Sequence, residues 1–340
     1  MKARTGNGKT NKFFSLILII LLPLFFIGCT ESQKKATGPA PAALREQANA
    51  IIRDGLSDPN PWIRGWSIEA AAESDQKILM PTVQQLFTDK HAFVRFSAAL
   101  AVGDTQYSLA KPALKVLLED NDENVRIAAA YSLFKLGSAE SFGLIEDSIR
   151  SKDQTIRANA ALLLGKSGDK SVLKLIQWAQ KDKDSGDKVK LQALEARARL
   201  GDNEVFSRLW SIAFSSYADD RIMAVKSIGF LGRHRHIKAR DVLITKLDDE
   251  LLEVRLSAAQ QLGMLGDSAG EPEVLDVFRK KLRAGLEKQD LDRANILTVL
   301  AIGSIGTEKL TVFLPEFLDN ESKIVRIAAS KAVFMYLSQK

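Results

Sequence analysis

From about residue 44 onward, apolar side chains recur with a helical period, and the helical blocks themselves recur with a longer one. Asp120–Gly137 shows the unit as D-x4-V-R-x2-A-A-x2-L-x2-L-G. The skeleton returns 31 residues upstream at Asp89, Val94, Arg95, Ala98 and Ala99, and 31 residues downstream at Ile156, Arg157, Ala160, Ala161 and Gly168. A fixed period of this size marks a repeat architecture, so it decides the fold class before any local reading.

We number the valine of the skeleton as position zero. The zero positions are Ile63, Val94, Val125, Ile156, Val189, Asp220, Val254, Ala294 and Val325, which makes nine units. Position +1 is Arg64, Arg95, Arg126, Arg157, Lys190, Arg221, Arg255, Asn295 and Arg326. Position −5 is Asp58, Asp89, Asp120, Ser151, Asp184, Ser215, Asp249, Gln289 and Asn320; most of these suit a helix N-cap. Each unit therefore reads as helix, short turn, helix. A first helix with an apolar stripe, such as Val242–Leu247, is followed by a second helix with small residues at +4 and +5. Gly137, Gly168, Gly201, Gly232, Gly266 and Gly306 stand at +12, where a helix-terminating glycine belongs. No strand alternation competes, so the chain is expected to be all-α.

On the second helices, positions +3, +6, +7 and +10 share one face. Early units place Trp66, Glu69, Glu73 and Asp104 there; middle units place Tyr131, Lys135, Lys166, Arg199, Lys226 and Phe230; later units place Met264 and Met335. That surface runs from acidic through basic to apolar. Tyr131, Lys135, Lys166, Arg199, Lys226 and Phe230 are the candidate residues for an acidic protein partner. Two departures stand out. Unit six has Asp220 at zero. Unit eight follows an insert, Arg279–Asp290, and carries Ala294 and Asn295, where the repeat contacts are expected to break. The last unit ends at Lys340 with Val333, Phe334 and Leu337 as an apolar end, either self-covered or used for self-association.

Residues 1–12 are polar with four basic groups, and Phe13–Ile27 is an apolar run of 15 residues. That is shorter than the roughly 20 residues a membrane-spanning helix needs, and it matches the anatomy of a secretory signal. Cys29, the only cysteine, follows Gly28 directly. Residues 30–43 are polar and Pro/Gly-bearing and read as a flexible tether. The formal charge of +6 includes Lys2, Arg4, Lys9 and Lys12; without those four it is +2, too little for a nucleic-acid-binding reading.

A search for chemistry finds little. His91, His234 and His236 are not followed by Glu, there is no HExxH, and no G-x-S-x-G or P-loop occurs. The expectation is no metal, no cofactor and no enzyme activity. The densest charge cluster, Arg233–Arg240, reads as a solvated turn or as a contact for acidic partners or lipid headgroups.

Phe26-Ile27-Gly28-Cys29 resembles the lipobox of bacterial lipoproteins. That likeness implies a signal peptide over 1–28, cleavage after Gly28, lipidation of Cys29 and a tether over 29–43. It also implies attachment to the cell envelope, at the outer membrane facing the periplasm if the cell is Gram-negative. Residues 44–340 resemble HEAT repeats of the short type first named from phycobilisome lyases. This likeness implies a right-handed α-solenoid of about nine repeats, with the second helices on the concave side. It also implies a ladder between repeats built of Asp58, Asp89, Asp120, Asp184 and Asp249 with Arg64, Arg95, Arg126, Arg157, Arg221, Arg255 and Arg326. The functional expectation is a membrane-tethered, non-enzymatic scaffold that binds a protein along its concave face. The alternative is an envelope assembly or stress factor contacting lipid or peptidoglycan. A bilin-lyase-like role is set aside because an exported chain would not meet cytosolic phycobiliproteins.

Overall fold

The structure, a computed structural model, describes residues 40–340. The expected signal peptide, Cys29 and most of the tether lie outside the described residues. Those described form helices joined by turns, without a strand, and none of their helices is long and apolar enough to cross a membrane. The first helix, Pro41–Leu56, opens on a proline, which suits the first helical position because its missing N–H has no partner to lose.

The nine second helices are Pro61–Glu73, Ala92–Asp104, Glu123–Lys135, Gln154–Ser167, Asp187–Arg199, Ala218–Arg233, Leu252–Met264, Lys288–Ile305 and Lys323–Leu337. They pack side by side in chain order, and the ninth packs against the first. The array is thus all-α with nine HEAT-like units, and it closes into a ring. The second helices form its inner wall. The first helices, often short or begun by a 3-10 turn, form the outer wall.

Turn chemistry fixes each inner helix. The residue at −5 is an Asx- or Ser-type turn former rather than the N-cap expected for it. The carboxylates of Asp58, Asp89, Asp120 and Asp249 accept the backbone N–H two residues on, at 2.9–3.1 Å. The N-cap sits at −3, where Asn60, Asp122 and Asp153 accept the first free helical N–H groups. At the other end, position +12 adopts the left-handed conformation in units three, four, five, seven and eight, all on glycine. Units one and two place Asp75 (φ 49°) and Gln106 (φ 54°) there instead. The inner helix of unit six runs on to Arg233, so its left-handed residue is Arg235 rather than Gly232.

The arginines at +1 do two things. Arg64, Arg95, Arg126, Arg255 and Arg326 donate to the carbonyl at −5 of their own unit, at 2.7–2.8 Å. Several then reach the next unit: Arg64 to Asp89 at 2.8 Å, Arg95 to Asp120 at 2.8 Å and Arg221 to Asp249 at 2.9 Å. The expected ladder is corrected at four rungs. Arg157 meets Asp182 at 2.7 Å, not Asp184, because the 33-residue spacing there shifts the carboxylate by two positions. Arg126 finds Ser151 opposite and settles for Glu123 in its own helix at 3.9 Å. Arg255 turns to Glu273 on the following outer helix, since the insert displaces Gln289. Arg326 stays with the carbonyls of Asn320 and Glu321. At unit eight the insert mends the expected break: Arg283 donates to Asn295 at 2.7 Å and lies over Phe278 and Phe317.

Close approach of the inner helices rests on glycine at +9, a register not singled out in the sequence. A Cβ on Gly165 would lie 2.6 Å from the backbone of Ala196, and one on Gly303 would lie 2.5 Å from that of Ala332. The seam between units nine and one uses the same devices. Lys323 takes the place of the arginine and bonds Asp58 at 2.5 Å, and Gln47 donates to Asp319 at 2.7 Å. Val333 and Phe334 are buried, with the first helix packed over the last. Val94, Leu114, Leu314 and Phe317 belong to one apolar core that runs across this seam.

Removing a ladder arginine leaves a mostly buried carboxylate without its partner, so Arg95→Ala is expected to cost about 2–4 kcal/mol in urea unfolding. The Lys323 hydrogen bond holds the Asp58 carboxyl below its usual range. For Asp89 and Asp120, burial works upward, but bonds from Arg64 or Arg95 and from the turn N–H outweigh it, and both lie low. A depressed carboxylate contributes stability that is present above its unfolded value, about pH 4, and lost as pH falls through the native value. Urea midpoints should therefore drop below about pH 4, and drop less in Arg95→Ala.

Candidate functional site

Because the inner helices stand around a closed ring, their +6 and +10 side chains converge. They line a central cavity of about 670 Å³ that opens to solvent, with residues from every unit except the third. Its wall divides into arcs. Units one and two supply Glu69, Glu73 and Asp104. Units four to six supply Lys166, Glu195, Arg199, Lys226, Phe230 and Arg233. Units seven and eight supply Gln260, Gln261 and Met264, then Ile296, Leu297 and Leu300, and unit nine adds Lys331 and Met335.

Much of this charge is neutralised within the wall. Lys166 pairs with Asp104 at 2.9 Å, Arg199 with Glu195 at 2.7 Å, and Lys331 with Glu73. Among the described residues, Lys226 and Arg233 pair with no carboxylate. Arg199 and Arg233 both lie against the ring of Phe230, at 3.9 and 4.4 Å from its centre, and the Nε of Arg199 has no hydrogen-bond partner. Crowding by protein, and then repulsion from Arg199, pull the Arg233 guanidinium below its usual range, although its side chain still meets solvent. Across the cavity the Glu69 carboxyl is pushed up by the surrounding wall; Lys331 opposes that rise and Glu73 adds to it. The surplus is positive beside Phe230, and an apolar wall adjoins it.

Lys166, Arg199, Lys226 and Phe230 are brought together here as sequence position implied. Tyr131 and Lys135 are not. Tyr131 is 1% exposed, and its hydroxyl donates to Asp104 at 2.6 Å. The Asp104–Lys166 pair spans from unit two to unit four and roofs over the intervening helix, which shuts unit three out of the cavity. Lys135, at the end of that helix, is half-buried and lies outside the lining. Trp66 lines a smaller neighbouring cavity of about 260 Å³ with Ile296, Leu300, Ile324 and Ile327. Glu195, Gln260, Leu300 and Lys331 were overlooked, although all stand at +6 and the register alone would have found them. Arg233 enters because the inner helix of unit six is a turn longer than its neighbours. Tyr131→Phe is expected to lower stability by about 1–2 kcal/mol through the lost bond to Asp104. Binding of any ligand in the cavity should stay unchanged, which calorimetry on the same variant checks.

Comparison with known sequences supports the repeat assignment over the first part of the array. A family model for HEAT repeats matches residues 49–134 and 83–155. Phycocyanobilin lyase subunit alpha from Picosynechococcus sp. is 32% identical over 114 residues, 33% of this chain and 41% of that protein. The chain thus spans about two fifths of the length of the curated relative it matches. Among solved structures, the complex of CpcE and CpcF of phycocyanin lyase from Nostoc sp. PCC7120 is similar at 18% identity, covering 77% of this chain and 94% of that one, with a TM-score of 0.39. Human deoxyhypusine hydroxylase is similar at 17% identity over 87% and 98% of the two chains, with a TM-score of 0.34. The expectation of a chain without enzymatic function is corrected by the likeness to a lyase subunit. Nucleophiles, phosphate loops and metal ligands mark only the enzymes that carry them, so a sequence without those motifs does not exclude catalysis.

Proposed function

Since the chain is a HEAT-like repeat protein, we propose that it serves as a binding scaffold in a lyase-type system, receiving an acidic, amphipathic ligand in the central cavity. The observation that carries this reading is the juxtaposition of unpaired Lys226 and Arg233 with an apolar arc, Met264, Leu297, Leu300 and Met335, around one central cavity. Such a wall suits a molecule with carboxylates at one end and an apolar body at the other. Phycocyanobilin, named in the relative, has that character: it is an open-chain tetrapyrrole with propionate side chains. A polypeptide segment with acidic and apolar faces has it too. In this reading Cys29 is acylated and tethers the scaffold to a bacterial membrane, so the tetrapyrrole or peptide is one met outside the cytosol rather than on a cytosolic phycobiliprotein. Support for the tether comes from the sequence: a basic start, an apolar run and a lone cysteine after glycine.

Titrating the detergent-solubilised chain with an open-chain tetrapyrrole should produce a saturable shift in visible absorption. The double variant Lys226→Glu, Arg233→Glu should weaken it at least tenfold, about 1.4 kcal/mol. An acidic amphipathic peptide, titrated in parallel, separates a chromophore from a polypeptide ligand. If neither binds, or if charge reversal leaves both affinities unchanged, the cavity is not the binding site.

A further inference from the structure

The ring has two unlike edges. On one lie the turns that lead into the inner helices, with their aspartates and arginines. On the other the inner helices end and the outer helices begin. The two most exposed large apolar residues, Ile237 (86%) and Ile78 (78%), both lie on the second edge, together with Leu109 (73%); Val116 and Tyr217, also 73% exposed, lie on the first edge, where carboxylates flank them. Ile78 and Leu109 sit in 3-10 turns, Lys77–Leu79 and Ser108–Ala110, at the start of the outer wall of units two and three. Ile237 precedes the outer helix Ala239–Thr245 of unit seven, across the ring. Three apolar points on opposite sides of a ring define a plane that a flat surface touches all at once.

Charge on this edge is concentrated around Ile237. Arg233, Arg235, Lys238 and Arg240 flank it, and no Asp or Glu occurs between Arg221 and Arg240. Arg240 is partnered by Asp267, whereas Arg235 and Lys238 are exposed without an ion pair among the described residues. Lys77 and Lys111 stand beside Ile78 and Leu109. Asp75, which pairs with Lys77, and Glu140, Asp169, Asp202, Glu204 and Glu308 also occupy this edge, so its basic character is confined to the stretch around Ile237. The described chain enters here too, because the helix Pro41–Leu56 runs from this edge to the turn at Asp58. Between Cys29 and Ala40 lie ten residues, which reach at most about 40 Å when extended.

We infer that this edge docks on an anionic lipid surface. Ile78, Leu109 and Ile237 dip into the interface, and the Arg235–Arg240 segment meets the headgroups. Aliphatic side chains beside cations are the pairing that interfacial attachment uses. The inference rests on the tethering reading of the amino terminus and adds an orientation to it. The ring lies flat, one mouth of the cavity faces the lipid beside Arg233 and Met335, and the aspartate–arginine edge faces away.

The experiment places single cysteines by Ile78→Cys, Leu109→Cys, Ile237→Cys and, on the opposite edge, Tyr217→Cys in the full chain. Each is labelled with an environment-sensitive fluorophore and reconstituted with vesicles of phosphatidylcholine and phosphatidylglycerol containing brominated lipid. Mass spectrometry confirms one label per chain, which also reports whether Cys29 is blocked by acylation. Bromolipid should quench the labels at 78, 109 and 237 at least twofold and leave the label at 217 unaffected. Equal quenching at 217 and 237, or none at the three edge positions in chains that pellet with vesicles, overturns the docking edge while leaving the tether standing. Chains that fail to pellet overturn the tether reading and the docking edge with it. An Ile237→Asp chain that loses quenching at position 78 while keeping wild-type circular dichroism ties the effect to the surface rather than to unfolding.

Discussion

Everything in this molecule depends on the contact between its last unit and its first. A repeat array held together only by neighbours has two ends, and each end exposes the apolar face that an interior unit buries. Here Lys323 on Asp58, Gln47 on Asp319 and the buried Val333 and Phe334 join those ends. Closure turns a concave groove into a central cavity walled on all sides by inner helices. It brings Lys331 of the ninth unit against Glu73 of the first, so the acidic and apolar arcs become neighbours. Side chains far apart in sequence therefore share one small volume.

Within that volume the charges are sorted by what pairs with what. The Asp104–Lys166 pair spends its charge on bridging two units over a third, and the same bond that neutralises it buries Tyr131. Arg199 is half-spent on Glu195 and braced on Phe230. Lys226 and Arg233 keep their charge facing the cavity. The positive character of the wall is thus smaller and more local than a count of its lysines and arginines would imply, and it lies next to one aromatic ring.

The repeat, its helix pairs and most of the inner-face positions were legible in the sequence, because a period and a helical register are properties of short stretches. Lys166, Arg199, Lys226 and Phe230 were found that way. Tyr131 was not, since its fate depends on residues of two other units meeting above it. The shifted rung at Asp182 and the repair by Arg283 were hidden for a related reason: an insertion changes which carboxylate or guanidinium arrives, and spacing alone does not say which. Closure itself was invisible. It depends on the sum of small rotations over nine interfaces, and no single unit states that sum.

The closed ring also constrains how such a chain can change. An open array tolerates the gain or loss of a unit, because an added repeat merely lengthens it. In a ring of nine, each step must turn by about 40° on average for the ends to meet. A duplicated unit would leave the seam overlapping, and a deleted one would leave it gaping. Copy number is consequently locked, and variation is steered into loops and inserts such as Arg279–Asp290, which alter the rim while leaving the circle intact.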